Sequence, residues 1–267
     1  MDPAAAAARF ARLVRQEQRA VPLDEAALLL AAHATPGLEV AAELARLDAI
    51  AAGCPGPTLD HLLPYLFEDL GFRGDRDTYE DPRNSFLNEV MARRRGIPIS
   101  LSVLTMEVGR RIGVPVQGVG MPGHFLLRDR VDHEVFVDPF HGGRLLDRQG
   151  CERLFRSLHG PGAPWDEAWL APVGPRAILA RMLANLAAVY RASGARGALV
   201  EVLRLRAAIP GVEPDARAAL ASALAATGRF DLAAGELERL ADDLEGADPE
   251  RASEHRVAAV RARARLN

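Results

Sequence analysis

The stretch 96–140, GIPISLSVLTMEVGRRIGVPVQGVGMPGHFLLRDRVDHEVFVDPF, narrows the fold more than any other part of the chain. Pro98 or Ser100 opens a helix, and Leu101, Leu104, Val108 and Ile112 recur at offsets of three and four along one stripe. Gly113, with Pro115 just beyond, ends it. Three short strand-like runs follow. With the polar loop 129–133 as a turn centred on Val131, antiparallel pairing sets His124 opposite Asp138, Leu126 opposite Phe136 and Arg128 opposite Glu134. Phe125 and Leu127 then share the other face with Val137 and Val135. The expected hairpin has one apolar face to bury and one face carrying a His–Asp and an Arg–Glu pair. A striped helix beside a small antiparallel sheet makes the fold class α+β.

The rest of the chain fits a globular protein. Its 267 residues suffice for one large domain or two smaller ones. The net charge of −3 is spread rather than blocked, which points away from nucleic acid and from anionic membranes. The longest apolar run, AALLLAAHA from Ala26, is too short to span a bilayer. The N-terminal MDPAAAAARFARLVRQEQ lacks a signal peptide's apolar centre, so a cytoplasmic location is expected. Two cysteines, Cys54 and Cys151, are too few for a disulfide framework and read as structural.

In order along the chain, residues 1–57 form a helical N-terminal region, with Asp24 as a helix cap and a break at Thr35-Pro36-Gly37. Thr58 opens a helix that Gly71 stops, and Asn84 or Ser85 caps the next one, which ends in Arg93, Arg94 and Arg95. Residues 58–160 make the core, and 161–176, rich in glycine and proline, the linker. Residues 177–267 are helical and repetitive. Gly194 and Gly228, at two helix–helix turns, lie 34 residues apart, the tetratricopeptide period.

The helix ending in Gly113-Val114-Pro115, followed by a strand, a histidine strand and an aspartate strand, resembles the transglutaminase-type core, itself related to the papain-like thiol enzymes. There a cysteine at the helix N-terminus attacks an acyl carbon, the histidine takes its proton and the aspartate orients the imidazole. The resemblance puts His124 and Asp138 in the last two roles. NSFLNEV at 84–90, RRGIPISLSVL at 94–104, PGHFLLR at 122–128, VDPFHGGRLL at 137–146 and the C-terminal repeats resemble more closely the SirB-type transglutaminase-like proteins of bacteria. That likeness runs from about residue 58 to the end. Counting back from Gly113, the nucleophile falls near Pro98, which has neither a nucleophilic side chain nor an N–H.

These residues leave three readings. The first is a non-catalytic module that binds a peptide or protein partner, with Asn84, Asn88, Tyr79 and Arg144 lining a groove beside His124 and Asp138. The alternative is an acyl-transfer or amide-hydrolysing enzyme in which Ser100 or Ser102, activated by His124, replaces the cysteine. The third sets zinc or iron on His124, Asp138 and one of His133 or His141. Those histidines lack the short fixed spacing of known metal motifs, so the sequence carries no expectation of a metal or other cofactor.

Overall fold

The computed structural model describes residues 2–266, and the chain folds as two compact units, Met1–Met182 and Leu183–Asn267. The first unit holds both the N-terminal helices and the core. Helix α1 (Pro3–Val14) starts at Asp2, whose carboxylate accepts from the Ala5 N–H at 3.1 Å. Helix α2 (Leu23–Leu29) is not capped by Asp24 as expected, because Pro22 takes the cap position. Asp24 is instead buried within the helix, where it receives Arg110 at 3.0 Å and Arg111 at 2.6 Å. Two guanidinium partners offset the cost of burying that carboxylate, which a cap cannot do. The Thr35-Pro36-Gly37 break separates α2 from α3 (Val40–Ala52).

Helix α4 (Leu59–Pro64) ends earlier than its leucine spacing implies. The chain widens into a π-turn over Tyr65–Asp69, closed by Leu70 N–H donating to Tyr65 O at 2.9 Å. Strand β1 (Arg73–Gly74) pairs in parallel with β2 (Arg95–Gly96), and between them lie a 3₁₀ turn, Pro82–Ser85, and α5 (Leu87–Arg93). Asn84 and Ser85 do not cap α5: Phe86 holds the cap position, and Asn84 makes its bonds elsewhere. Helix α6 (Pro98–Ile112) begins at the proline and stops at Gly113, whose φ of 81° is the left-handed turn the sequence implied.

Helix α6 packs against a five-stranded antiparallel sheet of β3 (Val116–Val119), β4 (Leu126–Asp129), β5 (Phe136–Asp138), β6 (Arg144–Leu146) and β7 (Pro172–Val173), in the order β6-β5-β4-β3-β7. The β4–β5 register is shifted by two residues from the expected pairing: Leu127 faces Val137 rather than Val135, and Arg128 faces Phe136 rather than Glu134. The cause is the turn. Asp129 accepts from Val131 N–H and Asp132 from Glu134 N–H, two side-chain-closed turns that centre the loop on Asp132. Arg128 then lies over the Phe136 ring, and Glu134 pairs with Arg148 at the start of α7 (Arg148–His159). Nor does the hairpin keep a polar face. Leu126 and Phe136 join Val119, Leu146, Cys151 and Phe155 on one side, while Leu127 and Val137 pack with Leu63 on the other. Both faces of the sheet are core.

The division between the units falls within α8 (Pro175–Ala192). The second unit continues through α9 (Arg196–Ala207), α10 (Pro214–Ala226), α11 (Phe230–Leu244) and α12 (Pro249–Arg263), each packed on the next. Gly194 and Gly228 turn the chain between helices with φ of 70° and 75°. Among the described residues, no helix is long and apolar enough to cross a membrane.

Candidate functional site

His124 and Asp138 meet, but not as a cross-strand pair. His124 precedes β4, on a turn where Gly123 takes φ 74° and the His124 N–H donates to Met121 O at 3.1 Å. From that turn the imidazole Nε2 reaches Asp138 Oδ1 at 2.9 Å. Asp138, the last residue of β5, also begins a 3₁₀ turn, Pro139–His141, which brings a second histidine back onto it. His141 Nδ1 lies 2.6 Å from Asp138 Oδ2, and the two imidazoles stack with centroids 5.7 Å apart. Asp138 is 1% exposed and His124 5%, whereas the His141 side chain is 31% exposed. Burial pushes the Asp138 carboxyl up, but the hydrogen bonds and charge of His124 and then His141 outweigh it and hold the group below its ordinary range.

Around this cluster stand groups far apart in sequence. The Phe140 ring meets His124 edge-on at 6.0 Å, and Tyr79, half exposed, meets Phe140 in the same way. Burial raises the Tyr79 hydroxyl's pKa, so it stays a neutral donor. Arg181 of α8 donates to the carbonyls of Met121 at 2.9 Å and His124 at 2.6 Å, and its guanidinium lies over Phe125. It ties down the turn that carries His124. Arg144 is exposed on β6, directly across from Asp138.

The other candidates lie at the opposite end of the chemistry. Ser100, fully buried, donates its hydroxyl to Asn84 O at 2.5 Å and accepts from Ile97 N–H at 3.1 Å. The Ser102 hydroxyl, equally buried, donates to Pro98 O at 2.7 Å. Asn84 gives its amide to Thr78 O and accepts from Arg93, leaving no side-chain group to line a groove. Asn88 is buried on α5, and its Oδ1 has no partner among the described residues. Pro98 is the first residue of α6. Cys151 is fully buried, and burial pushes its thiol up to about 12, an environment that disfavours a thiolate nucleophile.

Of three neighbours, the sequence reading had His141 only as an alternative metal ligand, and it missed Phe140 and Arg181. His141 carried a signal, lying three residues after Asp138 with Pro139 to tighten the turn. Phe140 reads in the sequence as ordinary core. Arg181 carried none, lying 57 residues beyond His124 on a helix assigned to the repeats.

Comparison with known proteins bears on this arrangement. Residues 20–184 match the family model described as the transglutaminase-like superfamily. A UPF0162 protein of Pseudomonas aeruginosa is 36% identical over 205 residues, covering 73% of this chain and 72% of its own. A UPF0162 protein of Xylella fastidiosa is 51% identical over 130 residues, which is 47% of this chain and 46% of that protein, so the match spans about half of the relative's length. Human F-box only protein 21 is 33% identical over 146 residues, 51% of this chain but 22% of that longer protein. No solved structure matches. With the family model covering more than half of the sequence and the Pseudomonas protein aligning over nearly three quarters of it, the chain belongs to the transglutaminase-like superfamily, among the UPF0162 proteins.

Proposed function

We propose that this protein is a non-catalytic transglutaminase-like module that grips a peptide or protein segment beside His124 and Asp138. Within the superfamily it is of the SirB type, with a papain-related core, a tetratricopeptide-like helical tail as a second binding surface, and a cytoplasmic location. The observation that carries the reading is the start of α6. The position of the family's nucleophile holds Pro98, and the nearest hydroxyls, Ser100 and Ser102, donate to backbone carbonyls rather than to His124. A serine attacks only when a base takes its proton, and neither hydroxyl points its proton at one. His124 retains its Nδ1, and Tyr79 and Arg144 add an aromatic face and a cation at the rim. About half of this chain also aligns with a fraction of the much longer F-box only protein 21, as a transferable module would.

The test joins peptide-library panning to assays of amine incorporation and amide hydrolysis. The expected result is an enriched peptide motif whose binding falls in His124→Ala and in the rim variants Tyr79→Ala and Arg144→Ala, with no turnover by any protein. Turnover by the wild type that disappears in His124→Ala overturns the reading in favour of a serine or other nucleophile.

A further inference from the structure

The second histidine on Asp138 has no part in a nucleophile–base–orienter scheme. A single imidazole needs a single carboxylate oxygen to fix its tautomer, and His124 already has Oδ1. His141 occupies the other oxygen from a turn whose geometry brings it back: Pro139 restricts the chain, and the His141 N–H also donates to Asp138 Oδ1 at 3.3 Å. The result is two imidazole nitrogens and one carboxylate with all three donor atoms within 4.8 Å of one another. Among the described residues this is the one such grouping of histidine, cysteine and carboxylate donors.

We propose that His124 Nε2, His141 Nδ1 and Asp138 form a mononuclear site for a divalent zinc-class ion, with a fourth position open on the side of the part-exposed His141. The donor set is the chemistry zinc takes in sites that keep one position free: three protein ligands of nitrogen and oxygen. It is also the two-histidine, one-carboxylate set used by ferrous sites, so ion identity is part of the test. In a tetrahedral site with metal–ligand bonds of about 2.0–2.1 Å, neighbouring donors stand about 3.4 Å apart. Here His124 Nε2 lies 2.9 Å from Asp138 Oδ1 and His141 Nδ1 lies 2.6 Å from Oδ2, and one donor atom from each of the three residues falls within 4.8 Å of the others, which brackets that spacing. Each nitrogen that would face the ion now faces Asp138. An ion at these nitrogens takes the place of the hydrogen bonds they make to Asp138.

The surroundings suit a held ion. Arg181 fixes the His124 turn through two carbonyls, so its charge is directed at oxygen rather than at the cluster. Phe140 packs edge-on against both imidazoles and limits water on that side. One carboxylate against a divalent ion leaves a net positive centre, which favours an anionic fourth ligand such as a carboxylate. The site stands on these donors alone and does not depend on the binding-module reading.

The experiment is titration of the metal-stripped full-length chain with Zn2+ by calorimetry and with Co2+ by visible absorption. Wild type is expected to bind one Zn2+ per chain and to give the intense visible bands of four-coordinate Co2+. His141→Ala, which alters a part-exposed residue, is expected to weaken Zn2+ at least about a hundredfold. Asp138→Asn should lose the Co2+ bands, while His133→Ala, on the neighbouring surface loop, binds as wild type does. Circular dichroism identifies any variant that has unfolded. The proposal is overturned if wild type gives neither heat with Zn2+ nor Co2+ bands, or if His141→Ala and His133→Ala bind alike. Tighter binding of Fe2+ or Mn2+ than of Zn2+ by the same residues overturns the zinc assignment.

Discussion

Two polar knots in the first unit use the same kinds of side chain to opposite ends. Around the start of α6, Asp75, Thr78, Asn84, Arg93, Ile97 and Ser100 bond one another: Asp75 takes the Thr78 N–H and hydroxyl and meets Arg93, and Asn84 joins Thr78 to Arg93. Ser100 closes the set onto the Asn84 carbonyl. Around Asp138, by contrast, each histidine offers one nitrogen inward and keeps one for something else. A knot whose donors and acceptors all answer one another holds a fold, and leaving one member unanswered costs stability. A cluster with nitrogens left over has room for a further partner. Ser100 ties the start of α6 into the first of these knots.

The largest expected effect is therefore at the closed knot. Asp75 is 1% exposed, and Asp75→Ala takes that acceptor from the Thr78 hydroxyl and the Arg93 guanidinium. The expected loss is about 3 kcal/mol in urea unfolding. A loss below about 1 kcal/mol would mean the knot is incidental. Acid supplies an independent check. Burial raises the Asp75 carboxyl, but the Thr78 and Asn84 hydrogen bonds and the Arg95 charge more than reverse it, so its folded pKa lies below the ordinary 3.8. Above 3.8 the group is ionised folded and unfolded, and its contribution is fully present. As pH falls through that value the unfolded chain binds its proton first, so stability declines until the folded value is passed. Wild type and Asp75→Ala should thus converge in stability as the solution is acidified.

Next is Ser100→Ala. The variant removes the donor to Asn84 O and the acceptor of the Ile97 N–H, both buried, and should cost about 2 kcal/mol. Peptide and Zn2+ binding should stay unchanged once the protein is folded. A Ser100→Ala protein that folds normally but loses binding would show that the two knots are one site.

Gly123→Ala sharpens the comparison from the other side. A φ of 74° is strained for any residue with a Cβ, and the added carbon would stand 2.5 Å from His159 Nε2. His159 is exposed and can yield, so the cost is mostly backbone, about 1.5 kcal/mol. Because the turn aims His124, Zn2+ affinity should fall along with stability, unlike the Ser100→Ala result.

How much of this was legible in the sequence depends on what each residue answers to. Helix α6 was, since Pro98 and Gly113 punctuate it by local backbone preference alone. The meeting of His124 with Asp138 was also legible, although by a wrong route. The hairpin register turned on two aspartates closing their own turns, and sequence alternation has no term for that competition. Asp24 looked like a cap because the sequence shows what precedes a helix, not that Arg110 and Arg111 arrive from α6 to claim it. Asn84 looked like a groove residue and Ser100 like a nucleophile for the same reason. A polar side chain beside a motif reads alike whether it faces a cleft or a carbonyl, and only the fold brings the carbonyl.

The smallest expected effect is His141→Ala, and it discriminates most. The side chain is 31% exposed, and its loss removes one hydrogen bond to Asp138 Oδ2 and the stacking on His124. Asp138 keeps His124 and the backbone N–H of residue 141, and water can enter where the ring stood. The stability change in urea should stay below about 1 kcal/mol, against the much larger loss for Asp75→Ala. Equal losses would mean that His141 is a strut and that the cluster is a second closed knot. A small loss in stability beside a large loss in Zn2+ affinity is the pattern of a residue kept for a ligand, since holding the fold and holding an ion then separate at one side chain.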